Sequence, residues 1–401
     1  MKTKINYYRG QWFNDKPHGK GKLYNNNDII IYDGELVNGK MEGKGKCVLE
    51  EGNYYIGEFS NDKMHGKGVM YNKNDNIIYD GEFSNGQREG KGKFISENGY
   101  YYIGQWLNDK QHGNGALYND KDIMLYDGDW ANGKMQGNGR LIVENGEYYI
   151  GEFLNGNIHG KGKIYYSNGN IKYDGTFIDY EFEGYGKFIW ENGNYYIGQF
   201  LKGNRHGKGT VYSMDGSVKY DGEFVNDKCE GYGKYIWDDD EFIRKKLNNK
   251  TEIIKIHEFK DYYIGQFLNN KKHGKGKVFY KDGTIKYEGE FINDKFEGIG
   301  KYIFQSGYYY IGQFLNNQRN GEGTLYNKNG NIKYTGYFVN DEYEGNGKYF
   351  YENGDYYIGE WLYGKRHGKG TLYDKNNNIK YDGLFVEDMY DGYSNYKYLN
   401  F

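Results

Sequence analysis

The chain has 401 residues, with 53 Lys and Arg against 56 Asp and Glu, for a formal net charge of −3. Such a balance supplies no global attraction to nucleic acid, and two cysteines in the whole chain exclude a disulfide-built scaffold. The unusual counts are 63 Gly and 49 Tyr against one Pro; they recur at fixed intervals, which separates them from a disordered glycine-rich tract.

The opening, MKTKINYYRG, has no apolar signal core, and no stretch approaches the ~18 apolar residues of a spanning helix. Neither secretion nor a transmembrane segment is expected. From Tyr8 onward one motif recurs, of which Tyr55 to Gly68, YIGEFSNDKMHGKG, is representative. Its first tyrosine falls at Tyr8, Tyr32, Tyr55, Tyr79, Tyr102, Tyr126, Tyr149, Tyr173, Tyr196 and Tyr220. It resumes at Tyr263, Tyr287, Tyr310, Tyr334, Tyr357 and Tyr381. Sixteen copies, spaced alternately 24 and 23 residues apart with one gap of 43, mark a repeat architecture.

Within a copy, Asn53 to Ser60 alternates at period two and reads as a strand. Tyr55, Gly57 and Phe59 share one face; Tyr54, Ile56 and Glu58 share the other. Asn61 to His65 reads as a polar loop. Gly66 to Tyr71 reads as a second strand, with Gly66, Gly68 and Met70 on one face. Glycine weakens a strand unless something covers it, and an aromatic ring from a neighbouring strand is the expected cover. No segment is long and apolar enough to form a second sheet. The expected fold is therefore all-β: an elongated, single-layer antiparallel β-meander, a twisted ribbon of about sixteen hairpin repeats, hydrophobic mainly on one face. At about 4.8 Å per strand it would extend on the order of 150 Å.

Odd copies end their loops in His-Gly, save Asn320 in the thirteenth, and even copies in an acid or its amide, so the underlying unit is a pair of 47 residues. Residues 1–237 hold repeats one to ten. An insertion in an inter-repeat turn occupies 238–261, repeats eleven to sixteen occupy 262–392, and 393–401 form a tail or cap.

The run Tyr-x-Gly-x-Trp/Phe followed by Gly-x-Gly resembles the MORN repeat, the membrane occupation and recognition nexus. The aromatic is Trp at Trp12, Trp106, Trp130 and Trp361, and Leu36 departs from the pattern. The resemblance implies an elongated β-ribbon used for protein interaction near membranes. An all-repeat chain is most similar to the family's cytoskeletal scaffolds. It implies a cytoplasmic protein, at the cytoskeleton or the cytoplasmic face of a membrane, with cytoskeletal or membrane-skeleton proteins as partners. The alternatives are a direct phosphoinositide or anionic-lipid-binding module, or a ciliary or axonemal structural protein.

No catalytic, cofactor or metal site is expected. Successive motif histidines lie four strands, roughly 19 Å, apart, too far to share a zinc ion. No Ser or Cys nucleophile is paired with a base. Asp238, Asp239, Asp240 and Glu241 read as a solvated charge run, and the Gly-x-Gly motifs precede strands, not the helix that a phosphate fingerprint needs. The binding candidates are a groove on the aromatic face and a basic loop edge. That edge comprises Lys63, His65, Lys67, Arg205, His206, Lys208, Lys271, Lys272, His273, Arg366, His367 and Lys369, suited to anionic phospholipid or a partner; the plain alternative is a solvated rim. At the C-terminal edge, Leu384, Phe385, Tyr396, Tyr398 and Phe401 form a candidate dimer surface, against the alternative of an intramolecular cap.

Overall fold

The computed structural model describes residues 7–143, 145–237 and 260–390, together with the backbone of 242–247 and 250–255. The chain forms two units, divided between Ile189 and Trp190. Each is an open antiparallel meander in which a strand pairs with its neighbours along the chain. The aromatic and β-branched content of the repeats suits strands packed on a pleated surface.

The third copy shows the local logic. Strand Tyr54–Ser60 pairs with Lys63–Tyr71, so that only Asn61 and Asp62 form the turn. Both have positive φ, 49° and 66°, the geometry of a type I′ turn, whose twist matches that of the flanking strands. The hairpin therefore closes in two residues. His65, expected in a loop, lies inside the second strand opposite Glu58. One residue later the register shifts between Glu58↔His65 and Gly57↔Gly68. Gly66 takes φ of 58° at this bulge, a conformation open to glycine and strained for most other residues. At the opposite edge, Asn72 Oδ1 accepts the N–H groups of Asn74 and Asn76 at 2.9 and 3.0 Å, closing the link to the next copy.

Tyr55 is fully buried although, among the described residues, no second sheet covers it. Its ring lies against two glycines, Gly57 on its own strand and Gly68 directly opposite. Its hydroxyl donates to the Glu58 carbonyl at 3.1 Å. A Cβ at Gly57 would collide with that ring and lie 2.6 Å from the Gly68 Cα. The cover for the bare glycines thus comes from the tyrosine two residues earlier on the same strand, and not from a neighbouring strand alone. A tyrosine at this position reaches both members of the glycine pair.

Phe59 and Phe83 flank Tyr55 edge-on, at centroid distances of 5.2 and 5.0 Å. Each phenylalanine in turn meets the tyrosine of the adjoining copy. In the first unit this edge-to-face ladder runs unbroken from Tyr32 to Tyr173. In the second it runs from Tyr196 to Tyr381. Contacts of this kind add about 0.5–1.5 kcal/mol each beyond area burial. Leu36, which breaks the aromatic pattern, still occupies its place and is 1% exposed.

The other face is more aromatic than expected. Tyr54 and Tyr71 stack at 4.8 Å and 14°, with the Lys46 Nζ 3.9 Å from the Tyr54 centroid. Equivalent stacked pairs recur in odd copies, among them Tyr101–Tyr118, Tyr148–Tyr165, Tyr309–Tyr326 and Tyr356–Tyr373. This face is solvated, with Ile56 44% exposed, so the fully buried rings remain on the face of Tyr55.

The expected insertion contains a paired element of its own. Phe242–Leu247 runs antiparallel to Lys250–Lys255, outside the main sheet. Ile236 pairs with Tyr262, and Gly233 with Gly265, so the repeat register continues directly across the insertion.

Replacing Gly57 by alanine should lower stability by about 2 kcal/mol, because an inserted methyl group meets a closely packed ring and backbone. A urea-unfolding midpoint indistinguishable from that of the parent chain would contradict the covering role given to Tyr55.

Candidate functional site

The turn edge is a network of charged side chains whose first task is to close turns. Asp62 Oδ1 accepts the N–H of Met41, in the preceding hairpin, at 2.8 Å. Glu42 Oε1 accepts the N–H of Asn61 at 2.9 Å. The same reciprocal arrangement joins Glu230 to Asn269 and Glu297 to Asn316. The even-copy acids thus cap the turns of the following odd copies. A second role was missed in the sequence: the residue after the strand glycine spans the bulge. Gln266 Oε1 accepts the Lys275 N–H at 2.9 Å, and Gln199 and Gln313 do the same for Lys208 and Glu322. Its signal was available, since Glu or Gln follows Tyr-Ile-Gly in every odd copy from Tyr55 onward.

The twelve basic-edge residues do not share one surface. Lys63, Lys67, Lys208, Lys271 and Lys369 are exposed. Lys67 lies opposite Glu82, and Lys208 opposite Glu223, on the face away from the ladder. His65 is exposed on that same face, whereas His206, His273 and His367 are half-buried in their strands. Arg205, Lys272 and Arg366 point the other way, each paired with a ladder aromatic: Phe200, Phe267 and Trp361.

These three inward cations are held closely. Arg205 donates from Nε to Asp227 Oδ1 at 3.0 Å and from Nη2 to the Asp227 carbonyl at 2.7 Å. Its guanidinium lies 5.0 Å from the Phe224 centroid and 5.6 Å from that of Trp190. Arg366 repeats this with Asp388 and Phe385. Lys272 lies over Trp237 at 4.8 Å, and burial holds its pKa below the usual lysine range, opposed by Asp294. Beside Arg366 opens a cavity of about 300 Å³ lined by Tyr351, Leu372, Glu352, Asn353 and Asp355. Asp355 is 8% exposed and pairs with the Lys380 Nζ at 2.9 Å.

At the C-terminal edge, Leu384 is 39% exposed on the face away from the ladder. Phe385 is 1% exposed, wedged between Tyr357 and Tyr381. It belongs to the core of the repeat and offers no docking surface. Tyr396, Tyr398 and Phe401 lie outside the described residues, as do Asp238 to Glu241.

Burial pushes the Cys47 and Cys229 thiols up to about 11, which keeps both protonated at neutral pH and poorly nucleophilic. Among the described residues, no three His, Cys, Asp or Glu side chains converge on a metal position. Among the described residues, the motif histidines His18, His112, His159, His206 and His273 bury their Nδ1 atoms without a hydrogen-bond partner. Their place beside the bulge makes them packing groups of the strand, where the sequence indicated loop residues.

Burial also raises the ladder tyrosines, with Tyr55, Tyr102 and Tyr310 pushed up to about 12. A raised acid pKa means that the fold favours the neutral phenol. The resulting stability is complete below the unfolded value near 10 and disappears as the pH climbs through about 12. Alkaline titration should therefore show phenolate absorbance from the ladder only together with loss of β-sheet circular dichroism. Ionisation of all tyrosines near pH 10 with the sheet intact would contradict this.

Comparison with protein families matches the MORN repeat at fifteen stretches, from residues 8–29 through 357–379. Comparison with curated proteins finds no match. Among solved structures, a protein of unknown function from Bacteroides caccae is similar at 11% identity over 75% of this chain and 96% of that one, with a TM-score of 0.14. The computationally designed Ika8 protein is similar at 11% identity over 84% and 86%, also with a TM-score of 0.14. Neither score bears on the reading of this chain. MORN repeats are in general non-catalytic scaffolds for protein and membrane interaction, and among the described residues no helix is long and apolar enough to cross a membrane. The matched stretches cover most of the chain and coincide with the Tyr-Gly-aromatic hairpins described above, so the chain belongs to the MORN repeat family.

Proposed function

We propose that the chain is a non-catalytic protein-interaction scaffold of a membrane-associated cytoskeletal structure, placed at the cytoskeleton or the cytoplasmic face of a membrane. The observation that supports this most is the constancy of the repeat. Within each unit, equivalent side chains return every four strands, roughly 19 Å, so partners can be held at fixed intervals. The buried ladder resists distortion of that spacing. Proximity labelling in the native cell tests the reading. Enrichment of cytoskeletal and membrane-skeleton proteins is expected, and labelling confined to unrelated soluble enzymes would overturn it.

Direct binding of anionic lipid is the second reading. It rests on the exposed lysines, Lys63, Lys67, Lys208, Lys271 and Lys369, each worth about 1 kcal/mol near an anionic surface. Flotation with anionic liposomes at low salt, lost on charge reversal of Lys63, Lys67, Lys271 and Lys369, is the expected result. Flotation independent of lipid charge would remove this reading. A homodimer through the C-terminal repeats remains part of the proposal. With Phe385 in the core, its surface is narrowed to Leu384 and the residues beyond Tyr390. A chain ending at Tyr390 should be monomeric by light scattering; a dimer that survives this truncation would place the interface elsewhere.

A further inference from the structure

In each hairpin one residue of the second strand sits opposite the ladder aromatic. In the second unit these residues form a row along the aromatic face: Arg205, Cys229, Lys272, Phe296, Arg319, Tyr343, Arg366 and Tyr390. Cationic and uncharged side chains alternate strictly, two strands or roughly 9.6 Å apart. In the first unit the corresponding row contains a single cation, Arg88. All but Tyr390, which is exposed, are half-buried.

These cations have unused capacity. Arg205, Arg319 and Arg366 each spend Nε and Nη2 on one aspartate of the next turn. Their Nη1 groups have no partner among the described residues. Lys272 is less satisfied still: its ammonium packs on Trp237 and Tyr263 and makes no hydrogen bond or ion pair among the described residues. Asp294 acts on the ammonium only without direct contact, its Oδ1 accepting the Lys272 backbone N–H; a partly buried cation with no direct anionic partner is unfavourable, and an incoming carboxylate relieves that.

We propose that this row docks a helical segment of a partner protein, with carboxylates set against the cations and apolar side chains against Phe296 and Tyr343. An extended peptide fits poorly, because the strands beneath already use their backbone groups in the sheet ladder. Its own amides would be left unpaired across the aromatic face, whereas a helix satisfies its own. At 1.5 Å rise per residue, roughly 9.6 Å corresponds to about six to seven helical residues. The matching stripe carries acidic and apolar residues alternately, about one per two turns. This rests on the scaffold reading only in treating the chain as one that binds proteins.

The test uses the full chain and a fluorescein-labelled, alanine-rich helical peptide of about 28 residues with Glu and Leu alternating at that interval on one stripe. A peptide of the same composition with Glu and Leu scattered around the helix is the control. Fluorescence anisotropy should show at least tenfold tighter binding of the striped peptide, weakening with salt. Lys272→Glu should lower that affinity about tenfold or more. Lys272→Met, which keeps the packed stem, should lower it less, and Met64→Glu in the first unit should leave it unchanged. Circular dichroism melting of each variant establishes that it is folded. Equal binding of both peptides, or undiminished binding by folded Lys272→Glu, would overturn the proposal. So would Lys272-dependent binding of phosphatidylserine vesicles in place of the peptide. Loss of peptide binding while cytoskeletal partners are still labelled would remove this docking mode alone; peptide binding without such labelling would remove the cytoskeletal reading alone.

Discussion

The contact of one tyrosine ring with two glycines is the constraint on which every other feature of the molecule rests. A single-layer sheet has no opposing sheet to bury its apolar side chains, so its rings must lie down on their own backbone. Only residues without a Cβ allow that approach. The glycine pair therefore does two things at once: it opens a bed for the ring, and it removes the side chains that would otherwise hold a second layer at a distance. Once Tyr55 lies over Gly57 and Gly68, its edges are free to meet Phe59 and Phe83. The hydroxyl, carried inward with the ring, finds the Glu58 carbonyl. Burial is thus gained along the direction of propagation, from repeat to repeat, in the manner of a one-dimensional array.

The hairpin architecture and its buried positions were legible because they depend on period and glycine placement, which are written directly in the chain. Tyr55, Gly57 and Phe59 share a face by simple alternation. The His-Gly segment was harder. Polarity alone places Asn61 to His65 in a loop, but Asn61 and Asp62 both adopt positive φ and close the hairpin early, which draws His65 back into a strand. The basic edge was misleading for a related reason. Arg205 and His206 are neighbours in sequence and point to opposite faces once the segment is recognised as strand. What no sequence pattern announced is the partner of each charge. The pairing of Arg205 with Asp227 crosses 22 residues, and depends on a turn of the next hairpin arriving beside the first.

Two kinds of charge arrangement consequently coexist. On the solvated face, lysines and acids sit opposite one another, as Lys67 does with Glu82, and such exposed pairs contribute little to stability. On the aromatic face, guanidinium groups are fixed between an aspartate and several rings, where planar geometry and weak hydration favour arginine. Lys272 occupies such a position without the fork that would let it engage both an aspartate and a carbonyl. The difference between the two units in this row means that chains of nearly identical repeats can still present chemically distinct surfaces, since a half-buried position tolerates exchange of Met64 for Arg366 without disturbing the ring beneath.

The insertion between Ile236 and Tyr262 leaves the pairing of those two residues intact. An inter-repeat turn is therefore a port: chain can be spliced in there, fold upon itself and rejoin the sheet in register. The entropic penalty of a longer loop grows only logarithmically with its length, and the ladder on either side is closed by contacts that the turn does not supply. The repeat edge opposite the two-residue hairpin turns can thus take on new elements one port at a time, which gives such an array a route to acquire added domains without renegotiating its core.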